Sequence, residues 1–78
     1  MHNYNRGLSY RELGEHEKAI DDYNKAIELD LNYTNAYCNR GMAYHLLGEY
    51  EKAKADYRKA LTIDPDHEIA KKHLALLE

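Results

Sequence analysis

The sequence is poor in the features on which catalysis, membrane insertion and nucleic-acid binding rest. Its 78 residues hold one cysteine, which rules out a disulfide within the chain and gives no sign of an oxidising compartment. No apolar run approaches the roughly 18 residues of a membrane-crossing helix, and Met1-His2-Asn3 opens straight into a helical pattern without a signal sequence. Both absences point to a cytoplasmic setting with no membrane insertion. The formal charge is -3, so there is no broad basic field to hold a phosphate backbone, and no nucleic acid is expected as a partner. The five histidines (His2, His16, His45, His67 and His73) form no H-E-x-x-H motif and no i, i+4 pair, so no metal and no cofactor is expected. His16-Glu17 starts such a motif, but Ile20 stands where its second histidine is needed. Cys38 and His45 lack a third group to orient a base. No residue is assigned a catalytic role, and the chain does not read as an enzyme.

What is present is a repeat. The stretch Tyr37 to Pro65 carries Gly41, Tyr44, Leu47-Gly48-Glu49, Ala53, Tyr57, Ala60 and Asp64; 34 positions earlier stand Gly7, Tyr10, Leu13-Gly14-Glu15, Ala19, Tyr23, Ala26 and Asp30. About fifteen of the twenty-six residues from Asn5 to Asp30 are identical to their counterparts, so internal repetition is the first fact a fold must explain. All four glycines fall at repeated positions, which leaves none for a phosphate-cradling loop. With 44% hydrophobic residues and a length near the lower limit for a single core, burial has to be efficient.

Periodicity predicts helices over about 3–13, 17–29, 35–47 and 50–63. In the second, Ala19, Tyr23, Ala26 and Ile27 form one apolar stripe opposite Lys18, Asp21, Lys25 and Glu28. A mid-helix glycine costs about 1 kcal/mol against alanine, so Gly7 and Gly41 imply that a backbone or an aromatic ring presses close there. Gly14 and Gly48 each follow leucine and suit the left-handed conformation that ends a helix. Thr34 or Asn35 begins the third helix. Asp64-Pro65-Asp66 stops the fourth, with Asp66 placed to cap the next helical segment.

These residues resemble the tetratricopeptide family, whose unit of about 34 residues reads W-x2-L-G-x2-Y and then A, F and P at set spacings. Tyr37, Gly41, Tyr44, Ala53, Tyr57, Ala60 and Pro65 match in the second unit, with Arg40 where leucine is usual. The first unit departs further, with Asn3, Arg6 and Leu31 at the aromatic, leucine and proline positions. The resemblance implies an all-α fold of about five helices: antiparallel helix hairpins stacked as a short right-handed α-solenoid. It divides the chain into a first unit over 1–33, a second over 34–66 and a capping helix over 67–78, which covers the last open apolar face. Arg6 and Arg40 thus replace core residues, and Asp22 and Asp56 recur opposite them. Arg6 is expected to pair with Asp22 and Arg40 with Asp56, within a unit or across neighbours; otherwise the arginines reach water over their stems.

The resemblance also implies that the first helix of each unit lines a concave groove for a peptide or helix of another protein. Carried onto this chain, that surface is Tyr4, Asn5, Leu8, Arg11 and Glu12 on the first helix. It continues with Asn35, Cys38, Asn39, Met42, His45 and Leu46 on the third, and Ile69, Lys72, His73 and Leu76 on the last. Asn5 and Asn39 suit a peptide backbone, and Met42 suits an adaptable surface; alternatively Leu8, Met42 and Leu76 are packed between helices. Cys38 reads as an inert small residue or, less simply, a sensor. Of the family's carboxylate clamp for chaperone tails only Asn39 is present, since Tyr4, Leu8, Ile69 and His73 hold the other positions. The expected function is a protein-interaction module or scaffold. A self-assembling unit that forms a homo-oligomer through exposed repeat faces is the alternative.

Overall fold

The computed structural model describes residues 2–78. Five helices follow one another: α1 (His2–Glu12), α2 (His16–Leu29), α3 (Thr34–Leu46), α4 (Tyr50–Ile63) and α5 (Glu68–Leu77). Helices α1 and α2 form one hairpin and α3 and α4 a second; α2 packs on α3, and α5 closes the stack against α4 and the edge of α3. The layout is a short α-solenoid.

Both hairpin turns are built alike. Gly14 and Gly48 adopt φ of 78° and 81°. The Glu15 N–H donates to the Tyr10 carbonyl at 2.9 Å and the Gly14 N–H to that of Arg11 at 3.0 Å, and Glu49 and Gly48 repeat both bonds with Tyr44 and His45. This paired pattern satisfies the last carbonyls of the helix and needs a left-handed residue that only glycine adopts without strain. The other two glycines answer a different need. A Cβ on Gly7 would lie 2.6 Å from Tyr23 Cε1, and one on Gly41 2.9 Å from Tyr57 Cε1. A tyrosine ring of the second helix therefore presses on the glycine of the first in each hairpin.

Tyr23 and Tyr57 are the largest fully buried side chains, and Ala19, Ala53, Ala60, Ala36 and Ala70 are fully covered. Alanines at these seams let helices approach until the tyrosines fill what remains. Arg6 and Asp22 pair within the first hairpin, with hydrogen bonds of 2.8 Å from Nε and 2.7 Å from Nη2. Arg40 and Asp56 do the same in the second at 2.8 and 2.6 Å. Arg40 also reaches back across the seam, donating Nη1 to Asn24 Oδ1 at 2.8 Å and lying over the rings of Tyr37 and Tyr44.

One expectation is corrected. Asp66 does not cap α5. The cap is His67, whose Nδ1 accepts from the Ala70 N–H at 3.2 Å. Asp66 instead donates its backbone N–H to Asp64 Oδ1, an Asx turn that places His67 at the helix entrance.

Candidate functional site

Helices α1, α3 and α5 are the first helices of successive units, and together they wall an open pocket of about 430 Å³. Tyr4 and Arg11 line it from α1, Asn35, Cys38, Asn39 and Met42 from α3, and Ile69, Lys72 and His73 from α5, with His67 at the α5 entrance. A shallower depression of about 550 Å³ rests on Glu68, Ile69, Lys71 and Lys72. It belongs to one helix and extends the α5 rim of the same pocket.

Asn39 is the hub of the pocket floor. Its Oδ1 accepts from Arg11 Nη1 at 2.8 Å, while its Nδ2 donates to the Tyr4 hydroxyl at 2.8 Å and to the Asn35 carbonyl at 2.9 Å. These bonds use both amide hydrogens and tie α1 to α3. Tyr4 is further held by the Tyr33 ring, centroid to centroid 4.8 Å, and burial raises its pKa. On the α5 side, His67 Nδ1 is an acceptor from backbone, so the ring proton sits on Nε2 and donates to Asn35 Oδ1 at 2.9 Å. That bond ties α3 to α5.

The two side chains at the pocket with nucleophile or base chemistry, Cys38 and His73, are both shaped by burial. Cys38 is buried, and burial alone pushes its thiol up to about 11, the opposite of an activated nucleophile. His73 stacks on Tyr57 at 5.7 Å, and its Nδ1 is buried without a protein partner. Burial, with help from His45 and Lys72, lowers its pKa, which favours the neutral ring. Among the described residues no three His, Cys, Asp or Glu are grouped to hold a metal ion.

Nine of the residues expected at the groove therefore stand together: Tyr4, Arg11, Asn35, Cys38, Asn39, Met42, Ile69, Lys72 and His73. Asn5, Leu8, Glu12, His45, Leu46 and Leu76 do not line the pocket. Asn5 is exposed, Leu8 is half-buried, and His45 packs edge-on against Tyr50 at 5.5 Å. His67 was not anticipated. The repeat itself carries the signal, since His67 stands 34 positions after Tyr33, which flanks α3 in the same way.

The tetratricopeptide repeat pattern matches residues 34–67, and a second TPR repeat pattern matches 7–48. No curated protein sequence matches the chain. Among solved structures, it is similar to the first TPR of Spaghetti (RPAP3) bound to the HSP90 peptide SRMEEVD, at 35% identity and a TM-score of 0.93. It is also similar to MamA, at 32% and 0.94, and to the second TPR domain of human RPAP3 in complex with the HSP70 peptide SGPTIEEVD, at 32% and 0.92. In each case 96% of this chain is covered, while it spans only 60%, 44% and 62% of those chains, respectively. With the glycine-on-tyrosine contacts and glycine turns recurring every 34 residues, and a family pattern spanning more than half its length, the chain belongs to the tetratricopeptide repeat family.

Proposed function

We propose that this chain is a protein-interaction module that takes a peptide or helix of a partner protein into the groove walled by α1, α3 and α5. The observation that carries the reading is the exposed apolar surface bordering the pocket. Ile69 is 53% exposed, and Leu76, two turns further along the same face of α5, is 70% exposed. On α3, Met42 is half-buried at the pocket with one side packed on the core, and Leu46, one turn beyond it, is exposed. Such a surface, rimmed by polar groups, marks an interaction site. Two of the similar structures hold peptides, which supports the same use of the fold. A chaperone tail held by the family's clamp is not proposed, because Asn39 alone stands at a clamp position and its amide is already engaged.

Self-assembly through repeat faces finds less support. The first hairpin carries Asn3 and exposed Ser9 where the second buries Tyr37 and Ala43, so its outward face is more polar at these two positions, although Leu13 is exposed there. Solution mass from micromolar to millimolar concentration checks this; a dimer that persists on dilution favours the second reading.

The test of the groove is selection of binders from a displayed random-peptide library, followed by amide shift mapping of an enriched peptide. Shifts at Asn35, Met42 and Lys72 with loss of binding in Met42→Glu are expected. Shifts confined to the outer face of α2 and α4, at Lys25, Glu28 and Lys59, overturn the proposal.

A further inference from the structure

The hydrogen-bonding atoms of the pocket are unevenly occupied. Four of its oxygens already accept a bond: Asn39 Oδ1 from Arg11, the Tyr4 oxygen and the Asn35 carbonyl from Asn39, and Asn35 Oδ1 from His67; His73 Nδ1 has no partner among the described residues but is buried. The pocket's donors are left over. Tyr4 retains its own O–H, Arg11 has further N–H groups beyond the one on Asn39, Asn35 has its side-chain amide hydrogens, and Lys72 has its ammonium. Neither Arg11 nor Lys72 meets a carboxylate in an ion pair among the described residues. Among the described residues no acidic side chain lines the walled pocket, and Glu68 stands outside it on the α5 rim beside Lys71 and Lys72. The chain as a whole carries -3, so the pocket is opposite in sign to the molecule.

A site whose free charged groups are positive, and whose oxygens already accept bonds, selects a ligand rich in acceptors of negative charge. The donors stand on separate walls, Arg11 and Tyr4 on α1 and Lys72 on α5, with α3 between them. They match carboxylates spaced along a segment better than one terminal group. Beside them Ile69 and Met42 offer apolar surface.

We infer that the groove recognises an internal peptide segment in which aspartate or glutamate side chains alternate with apolar ones, the acids meeting Arg11, Tyr4 and Lys72 and the apolar side chains resting on Met42 and Ile69. This rests on the peptide-module reading above. It adds the sign of the ligand and makes a free C-terminal carboxylate unnecessary.

The experiment displays random peptides in two formats, flanked on both sides and with a free C-terminus, and selects both on the purified chain. Acidic and apolar residues are expected to be enriched in the flanked format. In a synthetic copy of an enriched peptide, C-terminal amidation should change affinity less than twofold, and Glu→Gln or Asp→Asn should weaken it about tenfold. Rising salt should weaken binding too. Lys72 is exposed, so Lys72→Glu leaves the fold intact and should shift the selected peptides towards lysine and arginine. Binders without acidic residues, or binding only by peptides with a free terminus, overturn the inference and leave the module reading standing. No binder in either format overturns both.

Discussion

Arg40 Nη2 lies 2.6 Å from Asp56 Oδ1, and 34 residues earlier Arg6 Nη2 lies 2.7 Å from Asp22 Oδ1, yet the two pairs live in different solvents. The Arg40 side chain is 21% exposed and that of Arg6 55%, because α2 covers the first and nothing among the described residues covers the second. Removing one partner of a buried pair leaves an uncompensated charge. Asp56→Ala should therefore cost about 3 kcal/mol, the low end for a buried pair because Arg40 keeps some contact with water. Asp22→Ala should lower the melting temperature less. Urea denaturation of both variants checks the order; equal losses would mean that the seam adds nothing to the second pair.

The same pairs respond oppositely to acid. Hydrogen bonds from Arg6 hold the Asp22 carboxyl below the usual aspartate range, whereas burial raises that of Asp56 against the pull of Arg40. For Asp22 the unfolded chain binds protons more readily, so its contribution is complete above the unfolded value of about 3.9 and is lost as pH falls through the lower folded value. For Asp56 the folded chain binds the proton first, so its effect runs the other way. Stability followed from pH 6 to pH 2 should show a flatter acid limb in Asp22→Asn and a steeper one in Asp56→Asn.

Gly41→Ala tests the ring contact. Helix propensity alone favours alanine by about 1 kcal/mol. The new Cβ would meet Tyr57 Cε1 at 2.9 Å and the Ala53 carbonyl at 3.2 Å, and neither a fully buried ring nor a backbone oxygen gives way cheaply. Overpacking of this kind costs about 1 to 3 kcal/mol, so the net change is a loss. Thermal melting reads it, and a gain in melting temperature would show that the ring moves aside.

Tyr23 and Tyr57 bury hydroxyl groups that have no protein partner, and burial raises both pKa values. Tyr23→Phe and Tyr57→Phe keep the ring and remove the desolvated oxygen. Each should be neutral or stabilising by up to about 1 kcal/mol. A loss of that size in urea denaturation would mean that the hydroxyl is bonded through a route the protein atoms do not provide.

His73→Phe probes the α5 side of the groove. The ring keeps its stack on Tyr57, and the unpartnered Nδ1 disappears. The folded state disfavours a proton on His73, so the native chain should lose stability as pH falls through the unfolded value of about 6.5. The variant should lose less between pH 7 and pH 5, which paired denaturation series at the two pH values will show.

The fold was open to reading because its determinants recur. Gly7 and Gly41, or Arg6 and Arg40, are costly residues that make sense only against Tyr23, Tyr57, Asp22 and Asp56 at the matching positions, and a second copy turns an oddity into a rule. The groove residues came from the family resemblance carried over position by position, and of these Tyr4, Asn39, Met42 and Lys72 line one pocket. What escaped were the choices among competing polar partners. Asn39 is bound to Arg11, 28 residues away, and to Tyr4, 35 away, and no local pattern shows that its amide is taken. The cap of α5 fell to His67 because the helix begins at Glu68, one residue too late for Asp66 to stand at its cap, and the Asx turn on Asp64 sets that start.

Arg40 holds Asp56 with one side of its guanidinium and Asn24 with the other, so the second unit's ion pair is completed by the first unit's second helix. A chain trimmed between Tyr33 and Thr34 would strip Asn24 from Arg40 and bare Tyr37 together with it. The ion pairs keep step with the sequence unit, each inside one hairpin, while the bond to Asn24 crosses from one unit to the next. Lengthening or shortening such a chain at the sequence boundary therefore leaves each ion pair whole and cuts the bond that ties Arg40 to the unit before it.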